Sequence, residues 1–174
     1  MTKSDIAEMP PFFDRYITIA PEIDVVSALH LAPSFTSLLP FETAEALGDR
    51  VYAPEKWTIR DIVQHIIDTE RIMAYRALRL ARQDQTPLPG FDEEVYGQTA
   101  QANRRHLTDL YDEYALIRQS TIALFRSFDE PMLMSSGICS TITISPLALG
   151  YVLVGHPMHH ANVIRERYLP LLTQ

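Results

Sequence analysis

The sequence predicts an all-α fold, a four-helix bundle, on three observations. Two long segments repeat apolar residues at helical spacing, a proline-led apolar segment closes the chain, and β-type alternation is confined to one short stretch. With 174 residues, 47% of them hydrophobic and 21% charged, the chain is long and apolar enough to bury a sizeable core. Residues 1–22 read as an extended lead-in, broken by Pro10, Pro11 and Pro21, and residues 23–174 as one bundle domain.

The first helix is expected over 24–47, weakened by Pro33 and Pro40, each of which lacks a backbone donor and crowds the turn before it. A loop at 50–57 follows. Thr58 then stands three residues before Asp61, a capping-box spacing, and opens a second helix to about residue 83. On its wheel Ile59, Ile62, Val63, Ile66, Met73, Ala77 and Leu80 share a broad face, with Asp61, Gln64, Asp68, Arg71 and Arg79 opposite. Pro87, Pro89, Gly90 and Gly97 make 84–98 a crossing loop. The third helix is expected over 99–128, from Leu107, Leu110, Tyr111, Tyr114, Ile117, Thr121, Leu124 and Phe125. Residues 138–144 alternate β-branched side chains but are too short and solitary for a sheet, and read as loop. Ser145 and Pro146 supply an N-cap and a first-turn proline for a fourth helix running to about residue 168.

The charge balance excludes some functions. Twenty-two acids against fifteen Lys and Arg give a net charge of −7, with no basic stripe for a phosphate backbone, so no nucleic-acid partner is expected. No apolar stretch approaches the roughly 18 residues that span a bilayer. The first 14 residues lack the basic start and apolar run of a signal peptide, so a cytoplasmic location is expected. One cysteine, Cys139, excludes an internal disulfide framework and a multi-cysteine zinc site.

Three histidines need explaining. His156 and His160 fall within the apolar stripe of the fourth helix, one turn apart on one face. Both are either neutral and hydrogen-bonded in the core, or ligands of a divalent metal, which uses the lone pairs of neutral imidazoles. His65 lies at the margin of the second helix's stripe and is either a boundary residue or a third ligand. Three histidines with an open position are the ligand set of a catalytic site, whereas structural zinc is closed by four protein ligands. His159 is adjacent to the stripe, either near the ligands or a ligand in the wrong register. Pro157 interrupts the fourth helix, costs about 3 kcal/mol and deprives the Leu153 carbonyl of its partner. Glu70 falls near the centre of the second helix's buried face, where a structural ion pair with Arg104, Arg105 or Arg118 is favoured over a catalytic base. Arg76 lies on the His65 and Thr69 side and can face a ligand cavity.

The segment from Trp57 through His65 to Glu70 and the closing Gly155-His-Pro-Met-His-His160-Ala-Asn-Val-Ile164 resemble the two signature helices of the DinB/YfiT-like superfamily. Leu88-Pro-Gly-Phe-Asp92 with Ala102-Asn-Arg-Arg105 resembles one branch of it. The resemblance implies a four-helix bundle, commonly a homodimer, whose metal is held by one histidine of the second helix and an H-x-x-x-H pair on the fourth. His65, His156 and His160 match those positions. It further implies one divalent transition metal, zinc or nickel, and a small-molecule substrate. The reaction implied is transfer of a low-molecular-weight thiol or metal-activated hydrolysis. The alternative is a non-catalytic dimeric bundle with a structural or vestigial metal site. Glu70, Arg76 and His159 are candidates to stand behind the ligands or to line the cavity.

Overall fold

A computed structural model describes residues 1–32 and 34–173. Three long helices carry the architecture: α5 (Ile59–Ala81), α7 (Leu107–Arg126) and α9 (Pro146–Val163). Both α7 and α9 pack along α5. The fourth side of the bundle is built from short pieces: α1 (Asp14–Ile19), α2 (Val25–Leu31), α3 (Phe35–Leu38) and α4 (Phe41–Leu47). Two further helices, α6 (Glu93–Ala100) and α8 (Glu130–Met134), lie in the connections.

The strongest local signals form where expected. Thr58 accepts from the Asp61 amide while the Asp61 carboxylate takes the Thr58 amide, closing the capping box of α5. Ser145 Oγ accepts from the Ala148 amide at the start of α9. Ile62, Val63, Ile66 and Ile67 of α5 are buried, each worth roughly 1.5–3 kcal/mol of transfer free energy.

Five expectations are corrected. Residues 14–19 of the expected lead-in are helical. Phe13, Tyr16, Ile17 and Ala20 bury one face of that short helix on α9, a helical spacing that begins after Pro11. The single helix expected over 24–47 is three helices. Ala32 and Leu39, each before a proline, leave the α conformation, and α4 starts just after Pro40. The expected loop 84–98 contains most of α6, nucleated by Asp92, whose side chain accepts from the Glu94 and Val95 amides. The third helix begins at Leu107 rather than 99 because Gln101 adopts a left-handed conformation that ends α6.

Finally, 138–144 is not loop. Gly137–Cys139 (β1) and Ile142–Ile144 (β2) form an antiparallel hairpin with Cys139 opposite Ile142. It is anchored by the Ser140 amide to the Leu88 carbonyl at 2.7 Å and the Leu88 amide to the Ile138 carbonyl at 2.9 Å. That anchorage holds residues 88–91 against the bundle.

Helix α9 runs through Pro157 and ends in a wider π-helical turn at Ile164–Tyr168. Leu153, whose carbonyl loses its donor to Pro157, accepts instead from Arg118 Nη2 at 2.8 Å. No helix among the described residues is long and apolar enough to cross a membrane. Two apolar clusters fill the interior. One joins α1, α2, the hairpin and the first half of α9; the other joins α3, α4 and the first halves of α5 and α7. The histidines lie where the two meet.

Candidate metal centre

His65 projects from α5 between Ile62 and Ile66, and His156 and His160 project from successive turns of α9. His65 Nε2 lies 3.1 Å from His156 Nε2, and His160 Nε2 also lies 3.1 Å from it. The ligand atoms of the three residues all fall within 4.8 Å of one another, and no fourth His, Cys, Asp or Glu joins the group among the described residues. The structure thus brings the three histidines singled out in the sequence to one point.

Neighbouring rings hold the imidazoles in place. Trp57 packs on His65 at 4.7 Å between centroids, and Tyr16 meets His156 edge-on at 5.1 Å. Trp57 is itself held by its carbonyl, which accepts from Tyr168 Oη at 2.5 Å. Tyr16 reaches this position because α1 rests on Gly155: a Cβ there would stand 1.9 Å from the Tyr16 carbonyl oxygen.

Burial decides the protonation state. His65 is 7% exposed and His156 4%. Desolvation pulls the His65 pKa from 6.5 to about 4 and drives those of His156 and His160 well below the ordinary value, reinforced by the adjacent imidazoles. All three are neutral at pH 7. A neutral imidazole has one ring N–H and one lone pair. His156 Nε2, facing two other nitrogens, can complete a hydrogen bond to one of them at a time. A cation between the three uses every lone pair. Tetrahedral ligands at about 2.1 Å from zinc stand roughly 3.4 Å apart, close to the 3.1 Å found here. The donor set therefore fits a divalent transition metal.

A cavity of about 720 Å³ opens onto the triad, lined by His65, His156, Tyr16, Met73, Arg76 and Phe91 among others. A smaller recess of about 260 Å³ on the other side is lined by His160, His159, Trp57 and Tyr52. His159 stands outside the triad, edge-on to Tyr16 at 5.4 Å. Arg76 lines the large cavity, as the wheel suggests. Glu70 does not line the cavity: its Oε2 accepts from Arg118 Nη2 at 2.7 Å, one of the three partners expected for an ion pair. Among the described residues Glu70 Oε1 and Arg118 Nε and Nη1 have no hydrogen-bond partner.

Sequence reasoning did not place Tyr16, Phe12 or Phe13 at the site, since they fall in the supposed lead-in, nor Phe91 and Cys139, which the hairpin carries to the cavity wall. The spacing of Phe13, Tyr16, Ile17 and Ala20 was the available signal.

The family model of the DinB superfamily matches residues 35–164, a span that contains all three histidines. The chain belongs to the DinB superfamily. No curated protein matches it. Among solved structures it is similar to YfiT from Bacillus subtilis, described as a probable metal-dependent hydrolase with an unusual four-helix bundle topology. The TM-score is 0.68 at 16% identity, over 88% of this chain and 84% of that one. At this identity the likeness establishes the shared bundle. The DinB superfamily match excludes α1 and α2, so Tyr16 belongs to a part of the site outside the matched span.

Proposed function

We propose that this DinB superfamily protein is a metal-dependent enzyme. His65, His156 and His160 would hold one divalent transition metal, zinc or nickel, with an open coordination position toward the 720 Å³ cavity. The observation that carries this reading is the convergence of three neutral imidazoles, two buried and His160 half-buried, beside a cavity, with no fourth protein ligand among the described residues. A structural site closed by four protein ligands is disfavoured by the same observation.

When bound, such a metal supplies Lewis acidity and lowers the pKa of a thiol or a water to near neutrality. The chain's own residues do the rest. Desolvation keeps the imidazoles unprotonated and available, Trp57 and Tyr16 fix their planes, and Phe13, Phe91 and Val152 limit water around a bound substrate. Transfer of a low-molecular-weight thiol is the first reaction to test, as the sequence resemblance implies. Hydrolysis of a small molecule is the second, favoured by the likeness to YfiT. A cytoplasmic homodimer belongs to the same reading, and sedimentation of the purified chain tests the dimer.

Elemental analysis before and after chelation is the deciding experiment. About one transition metal per chain is expected, lost on chelation. His65→Ala, His156→Ala and His160→Ala should each lower metal affinity at least about 100-fold, some 2.7 kcal/mol, with helical circular dichroism unchanged. Full loading of all three variants overturns the assignment.

A further inference from the structure

Arg76 is 5% exposed, and a buried cation needs a counter-charge. Five other arginines find one: Arg118 has Glu70, Arg71 and Arg105 share Glu113, Arg79 has Asp84 and Arg60 has Asp49. Arg76 has no carboxylate within 4 Å among the described residues. Its Nη2 donates to the Pro89 carbonyl at 2.8 Å, its Nη1 touches Met73 Sδ at 3.5 Å, and Phe91 lies 5.8 Å below the guanidinium carbon. All of these partners are neutral, so the planar fork keeps donors for a bidentate acceptor. Burial pushes its pKa below the usual arginine value, as expected of a cation short of its counter-ion.

Its position matters as much as its charge. His65, Thr69, Met73 and Arg76 all line the large cavity, at spacings of four, four and three residues along one face of α5. Eleven residues of helix separate His65 from Arg76 by about 16 Å along the axis. Between them Thr69 is 4% exposed, and its Oγ1 has no hydrogen-bond partner. The intervening walls are apolar, from Phe13, Phe91, Ile142 and Val152. Asp92, Glu93 and Glu94 also line the cavity but are solvent-exposed, so their repulsion is screened by water, and it weighs more against a doubly charged phosphate than against a single carboxylate.

We propose that the substrate is an elongated monocarboxylate with an apolar body, its acid group on Arg76, its body along the cavity past Thr69, and its reacting end at His65 and His156. The assignment of the reacting end rests on the proposed metal centre; the binding of the acid by Arg76 does not.

The test uses chelated, metal-free protein, so that the acid cannot bind through a metal. Calorimetric titration compares 4-phenylbutanoate with 4-phenylbutanamide, which match in shape and differ in charge. Wild-type protein should bind the acid at least about tenfold more tightly than the amide. Arg76→Gln should bring the two within about twofold, and Arg76→Lys, which keeps the charge and loses the fork, should fall between. Equal binding of acid and amide by wild type, no measurable binding of either, or a preference retained by Arg76→Gln overturns the proposal. Tighter binding of 4-phenylbutyl phosphate than of the carboxylate overturns the monoanion assignment. Should Arg76→Gln lose its helical signal, the acid-to-amide comparison on wild type alone decides. Metal content of a folded Arg76→Gln variant should equal that of wild type. Failure of metal uptake with the acid preference intact breaks the metal centre alone, and the converse breaks only this proposal.

Discussion

Five residues apart on α5, His65 and Glu70 are both polar and both buried, yet the protein treats them differently. Glu70 points toward α7, where Arg118 neutralises it from within the chain, and Tyr114 Oη and the Leu153 carbonyl lie 2.9 and 2.8 Å from the same guanidinium nitrogen, whose two N–H groups are shared among the three acceptors. Although burial alone lowers the guanidinium's pKa, the Glu70 carboxylate and Tyr114 hold it above the ordinary value. His65 points toward α9, where it meets two more bases and no acid. One region is closed on itself by opposite charges. The other gathers three like lone-pair donors with no opposite charge among them. Burial of polar groups thus marks a candidate binding centre where the partners are chemically alike, and a structural tie where they are complementary.

The largest expected effect breaks the closed region. Arg118→Met alone strands a buried carboxylate and should destabilise the protein by about 3–5 kcal/mol in urea unfolding, whereas Glu70→Met with Arg118→Met should recover most of that loss. A double variant as unstable as the single one would show that the pair is not the closed unit described here. A smaller effect separates out the histidine region. Its imidazoles have folded pKa values below the unfolded value of 6.5, so the unfolded chain takes up protons first as pH falls. Stability of the metal-free protein should hold above pH 6.5 and drop between 6.5 and 4, His65 alone accounting for about 3 kcal/mol. His65→Ala should flatten that stretch of the stability profile. The smallest effect tests the edge of the cluster. His159→Ala should change metal affinity by less than about tenfold and stability by about 0.5 kcal/mol or less, measured by competition with a chelator and by urea unfolding.

Much of this contrast was legible in the sequence. Helical periodicity puts His156 and His160 on one apolar stripe and His65 at the margin of another, and the family resemblance is what singles the three out together. Glu70 on a buried face demands a cation, and Arg118 was among the three on offer. What periodicity does not carry is the pairing of short elements. Tyr16 comes to the site on a six-residue helix that owes its stability to α9 rather than to its own propensity. Cys139 comes on three-residue strands that hold only because the Leu88 segment pairs with them. Gln64, assigned to the polar face, is buried because it bonds Asp68 at 2.9 Å and accepts at 2.8 Å from Arg105 in the connection before α7, a long-range contact that a single wheel does not display.

Arg118 also sets an alignment. Its guanidinium grips Glu70 on α5 and the bare carbonyl left by Pro157 on α9, so it works as a gauge block between the two helices that carry the histidines. One residue of slip along either axis shifts a side chain by about 1.5 Å, a large part of a metal–nitrogen bond of about 2.1 Å. Leu153 lies three residues from His156, less than one turn. The proline that looks like a flaw in the fourth helix is therefore what exposes the reference mark from which the spacing of the three histidines is measured.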